Sequence, residues 1–148
     1  MNKNILLFSL LFIFLSCGTT KKVKYKVTNK EGENLTYQVR IPKGFKVKEA
    51  DYEHERFKVF IYADSSSIFF SNDIYTGAFP PEAYIKYGQG IRLMFKSVDT
   101  ITLDGVGDKG KLWKYRKATN VVFGYLQVPP EKKVMFDNLI DRISIKVE

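Results

Sequence analysis

Reactive side chains are scarce in this chain, and each stands without the company its chemistry needs. Cys17 is the only cysteine and His54 the only histidine, so an ordinary zinc ligand set cannot be assembled. His54 lies in the acidic stretch Glu49-Ala50-Asp51-Tyr52-Glu53-His54-Glu55. A general base there would need a nucleophile beside it, and none accompanies it. No serine sits in a Gly-x-Ser-x-Gly elbow, and Ser65-Ser66-Ser67 reads as a turn. Gly105-Val106-Gly107-Asp108-Lys109-Gly110-Lys111-Leu112 approaches a phosphate-binding loop. That loop requires a hydroxyl after its lysine and a helix to follow. Leu112 has no hydroxyl and a strand pattern follows, so the segment is expected to be a hairpin turn. Asp104 and Asp108 are too few and too sparse for a calcium loop. Asn34-Leu35-Thr36 and Asp99-Thr100-Ile101 have the form of glycosylation sites, and both also fit strand starts. The residues therefore imply no catalytic set, no metal and no cofactor.

The N-terminus carries the strongest signal. Met1-Asn2-Lys3-Asn4 brings a positive charge, Ile5 to Leu15 is apolar except for Ser9, and Ser16-Cys17-Gly18 follows. A charged start, a short apolar run and small residues make a secretory signal peptide. The run is shorter than the roughly 20 residues that span a bilayer. Phe14-Leu15-Ser16-Cys17 resembles the lipobox of bacterial lipoproteins, with Phe14 where an aliphatic residue is usual. The resemblance implies cleavage before Cys17 and acylation of Cys17 on its sulfur and its new amine. Stable anchoring needs about two chains. Gly18, rather than an aspartate, implies the outer membrane, and basic Lys21-Lys22 in place of an acidic cluster implies the periplasmic side. The expected organisation is residues 1–16 signal peptide, 17–22 lipidated cysteine and short tether, and 23–148 one domain.

That domain has one-domain length and, with a single cysteine, no internal disulfide. The whole chain has twelve phenylalanines and nine tyrosines, large rings that favour strands and bury much area. The formal charge is +8, which suits an anionic envelope component or membrane surface. An export signal argues against a nucleic-acid partner.

Val23, Tyr25 and Val27 alternate with lysines, and Leu35, Tyr37, Val39 and Ile41 alternate with polar residues. Each has the period of a strand with one dry face, and turn residues between them predict a hairpin. Further strands are predicted at Phe45 to Val47, Arg56 to Ala63, Ser67 to Ser71, Thr100 to Leu103, Lys111 to Lys117 and Asn120 to Val128. Pro80-Pro81-Glu82 predicts a helix entry. Its stripe of Tyr84, Tyr87, Ile91 and Met94 is interrupted by Gly88 and Gly90, so the helix is expected to stop near Tyr87 and give way to extended chain. After Pro129-Pro130-Glu131, Met135, Phe136, Leu139, Ile140 and Ile143 stripe an amphipathic helix. Ser144 to Glu148 would add an edge strand. The fold class is α+β: an antiparallel β-sheet with one or two helices packed on it, including a C-terminal amphipathic helix.

Ile41-Pro42-Lys43-Gly44-Phe45 closing an early strand, and Phe136-Asp137-Asn138-Leu139-Ile140-Asp141-Arg142-Ile143 near the end, resemble the PsbP/Mog1-like sandwich and its small lipoprotein relatives. Phe45 stands where tryptophan is commoner. The resemblance implies a non-catalytic binding or assembly module. Tyr75, Phe79, Tyr84 and Tyr87 are the candidate partner contacts, with a protein or an anionic envelope component as partner and the membrane reached through Cys17. Two alternatives are an envelope hydrolase using a carboxylate pair and an inhibitor or immunity-type lipoprotein.

Overall fold

The structure is a computed structural model that describes residues 19–28, 32–52, 55–72 and 79–148. Cys17, His54 and Tyr75, and the signal peptide, lie outside the described residues. Strands β1 (Thr20–Thr28) and β2 (Asn34–Pro42) pair antiparallel, with Val23 opposite Val39 and Tyr25 opposite Tyr37. Alternation puts these side chains in the core and the lysines outside. The strand starts at Thr20, so Thr20, Lys21 and Lys22 of the expected tether are strand residues. The amide of Lys43 also donates to the carbonyl of Thr19 (2.7 Å). These polar residues join the ladder because backbone pairing asks only for a facing strand with free groups.

Strand β9 (Ser144–Val147) lies antiparallel on the other side of β2, completing a three-stranded sheet of order β1-β2-β9. The second sheet is six-stranded and antiparallel. It contains β3 (Lys46–Tyr52), β4 (Glu55–Ile61), β5 (Ser67–Ser71), β6 (Thr100–Val106), β7 (Leu112–Ala118) and β8 (Val121–Val128) in the order β3-β4-β5-β8-β7-β6. Every residue of β5 is buried, because both faces of this central strand are covered. Phe69 and Phe70 therefore enter different cores. Glu49 to Asp51, from the acidic stretch before His54, is strand. Cross-strand partners neutralise it: Glu49 faces Lys58 (3.1 Å) and Asp51 faces Arg56 (2.6 Å).

Three helices pack on this sheet: α1 (Pro81–Tyr87), α2 (Ile91–Ser97) and α3 (Lys133–Asp141). The positive φ of Gly88 ends α1, and its N–H returns to the carbonyl of Tyr84 (2.9 Å). The chain then re-enters a helix rather than becoming extended, which corrects the sequence expectation. The break lets Ile91 and Phe95, one turn apart, point into the core together, where each is 1 % exposed.

The molecule thus has three layers. On one face of the large sheet, Tyr25, Tyr37 and Ile41 of the small sheet meet Phe70, Phe123 and Tyr125, with Phe136 and Ile140 of α3 completing the core. Tyr25 stacks on Phe70 at 5.5 Å between centroids. On the other face, α1 and α2 bring Ala83, Ile91 and Phe95 against Phe69, Trp113 and Tyr115. Each buried ring of this kind is worth about 1.5–3 kcal/mol.

Candidate functional site

The predicted contact residues gather around α1, in different roles. Phe79 is buried (5 % exposed), with its ring edge-on to Phe95 at 5.1 Å and to Tyr84 at 6.3 Å. Sitting just before the helix, it packs on the first turns as a hydrophobic staple, so it is a core residue and not a surface ring. Tyr84 is half-buried; its hydroxyl accepts from Nε of Arg92 (2.9 Å), and the Arg92 guanidinium lies 5.7 Å from its ring. This contact ties α1 to α2. Tyr87 donates its hydroxyl to the carbonyl of Asp104 (3.1 Å) and stands edge-on to Trp113 at 6.3 Å. Lys86 reaches the Asp104 carboxylate (3.1 Å), so α1 is latched to β6 through one residue.

Between these latches the helix pair presents apolar side chains to solvent. Ile85 is 84 % and Leu93 72 % exposed. A groove of about 650 Å³ is lined by Ile85 together with Pro81, Tyr84, Gln89 and Arg92. Ile85 and Leu93 escaped the sequence reading because they fall off the apolar stripe. An Ile and a Leu on the polar side of a helix were themselves the available signal.

A second groove, of about 640 Å³, opens at the end of the sandwich between β1, β2, β4 and the C-terminus. It holds two carboxylates, Asp51 and Glu148. Asp51 receives Nε (3.0 Å) and a terminal nitrogen (2.6 Å) of Arg56, and Glu148 receives Lys26 (2.8 Å) and the Thr36 hydroxyl (2.8 Å). Lys26 first, and then Thr36, hold the Glu148 carboxyl below its usual range. A general acid needs the opposite shift. The nearby Tyr25 hydroxyl donates to the carbonyl of Arg56 and is pushed up by burial, so it stays a neutral donor. These groups make a structural ion-pair network.

A third polar cluster pins α3 to the sheet. Asp137 accepts from Lys114 (2.7 Å) and Tyr125 (3.1 Å) and pairs with Lys133 one turn back. Burial alone would raise its carboxyl, but the two lysines outweigh it and hold it low. Sequence reasoning also missed Lys117, which is 4 % exposed. Its ammonium donates to the carbonyls of Phe95 (2.9 Å) and Val98 (2.6 Å), capping the C-terminal end of α2, where a cation suits the helix dipole.

The remaining motifs settle into the fold. Asp108–Gly110 is a short 3-10 turn, followed directly by β7 rather than a helix. Leu35 and Thr36 of the Asn34-Leu35-Thr36 triplet are buried in β2, and Thr100 begins β6. Among the described residues no group of three His, Cys, Asp or Glu could hold a metal ion, and no helix is long and apolar enough to cross a membrane. Neither a family model, nor a curated protein, nor a solved structure matches the chain. The functional reading therefore rests on the residues themselves.

Proposed function

We propose that this chain is a lipid-anchored cell-envelope protein, held by Cys17 and working as a non-enzymatic binding or assembly module. The observation that carries the binding role is the outer surface of the helix pair. Ile85 and Leu93 are largely exposed and Ile85 lines a groove, on helices fixed by the Tyr84–Arg92 and Tyr87–Asp104 contacts. Apolar side chains held rigidly at a surface lose little conformational entropy when a partner covers them. The anchor rests on Phe14-Leu15-Ser16-Cys17, and the outer membrane facing the periplasm is the location that Gly18 favours.

A PsbP/Mog1-like sandwich is the finer fold reading. It is supported by the position of Pro42 at the end of β2 and by Phe45 packing edge-on to Phe60 (5.1 Å). The buried Phe136 and Ile140 of the terminal helix add to it.

Metabolic labelling with palmitate tests the anchor: label is expected in the wild-type chain and absent from Cys17→Ser. An unlabelled wild-type protein found in the cytosol would refute the anchored reading.

A further inference from the structure

The outward face of the small sheet gathers cations from three strands. Period-two pairing brings Lys22, Lys24 and Lys26 of β1, Arg40 of β2 and Lys146 of β9 to one face. All five are exposed. Glu148 is the acid beside them, and it is engaged by Lys26 and Thr36. Lys22, Lys24, Arg40 and Lys146 make no ion pair among the described residues. Elsewhere Arg56, Lys58, Lys86, Lys114 and Lys132 each have a carboxylate partner. Lys43, Lys46, Lys48 and Lys109 are likewise exposed and make no ion pair among the described residues. What distinguishes this sheet is that five cations share one face with a single acid.

Two features show that this is more than solubilising decoration. Lys22 lies directly opposite Arg40, and like charges facing each other across strands are destabilising. Lysines on the edge strand β1 would guard against sheet-to-sheet association. Arg40 is on β2, the central strand of that sheet, where no edge needs guarding. On β1 and β2 the face is also free of aromatic side chains. Single-stranded nucleic acids are held by stacking rings, which are missing here. Cations at every second residue of β1, with others on β2 and β9 on the same face, suit a surface of phosphates. Finally, β1 begins three residues after Cys17, a reach of at most about 10 Å.

We propose that the outer face of the small sheet docks on an anionic phospholipid surface, with Lys22, Lys24, Arg40 and Lys146 meeting the headgroup phosphates. The contact rests on the anchored reading for its proximity to a bilayer, and it would add electrostatic attraction to the lipid chains.

The test is sedimentation of the full-length Cys17→Ser chain with vesicles of phosphatidylcholine alone or containing a quarter phosphatidylglycerol. The apolar N-terminal segment is common to every arm, so the readout is the preference for anionic vesicles and its salt dependence. Each cation at such a surface contributes about fivefold, so K22Q/K24Q/R40Q should reduce that preference by about a hundredfold. A control variant with the same charge change, K46Q/K48Q/K109Q, should keep most of it. Circular dichroism confirms that both variants fold, and a single K24Q variant with a fivefold loss serves if the triple does not. No preference in the parent chain, or equal loss in the control, overturns the proposal. Tighter face-dependent binding to soluble polyphosphate than to vesicles also overturns it, assigning the face to a polyanion. The palmitate experiment separates the two readings: label without vesicle preference fails the face alone, and vesicle preference without label fails the anchor alone.

Discussion

The Cβ that Gly105 lacks would stand 2.5 Å from Cζ2 of Trp113, which occupies that space. The two residues are cross-strand partners on β6 and β7, next to the register shift between Leu112 and Lys114. At the other side of the shift, a Cβ on Gly124 would lie 1.8 Å from the carbonyl oxygen of Lys114. Both glycines are needed for close approach. Gly105→Ala is expected to destabilise by about 1–3 kcal/mol, the usual cost of overpacking. Gly124→Ala meets backbone instead of a side chain, so its loss should be larger. Urea unfolding followed by the single tryptophan measures both, since Trp113 is buried in the helix-side core.

Lys117 offers a second prediction. Lys117→Met keeps the packing of the stem but leaves the carbonyls of Phe95 and Val98 without the ammonium. Buried acceptors deprived of their donor cost about 1–3 kcal/mol. Thermal unfolding should show the loss, and hydrogen exchange should place it in α2 before the sheet.

Acid should weaken the fold in a defined window. Lys132 first, then Ser66, pull the Asp64 carboxyl down to about 2. Lys114 and Lys133 hold Asp137 low against the opposing effect of burial. A carboxyl lowered in the folded state stabilises above its ordinary pKa near 4, and that contribution vanishes as pH falls toward the folded value. Urea midpoints should therefore fall between pH 4 and pH 2. Asp64→Asn should flatten that slope, by about 1 kcal/mol after allowing for solvent screening of a partly exposed pair.

Ile85 and Leu93 separate binding from stability. Both are largely exposed, so Ile85→Ser and Leu93→Ser should change unfolding free energy by less than about 0.5 kcal/mol. Photocrosslinking from position 85 in intact envelopes is expected to give a discrete product that Leu93→Ser abolishes. Crosslinks spread evenly over abundant proteins would count against a dedicated surface.

Much of this was legible in the sequence, where burial follows a simple period. Val23, Tyr25, Leu35, Tyr37, Val39 and Ile41 alternate strictly, and their strands pair in the register alternation implies. Phe136 and Ile140 lie one turn apart in α3 and are buried, as the stripe required. The failures have a common cause: the deciding partner is distant in sequence. Glu49 and Asp51 read as an acidic polar stretch until Lys58 and Arg56 are placed opposite them. Thr20 to Lys22 have no apolar signal, and pair only because β2 is there. Helix α2 is short, and its apolar pair Ile91 and Phe95 gained meaning only once Gly88 had turned the chain. Lys117 reads as one more surface lysine until a helix end arrives above it.

The layering carries one last consequence. The chain enters through β1 on one outer layer, while Ile85 and Leu93 look out from the opposite outer layer, with the six-stranded sheet between. Stacked layers lie about 10 Å apart. Whatever touches the cationic face and whatever covers the helix pair thus cannot compete for the same atoms, and the central sheet acts as a stiff spacer that holds one at a fixed height above the other.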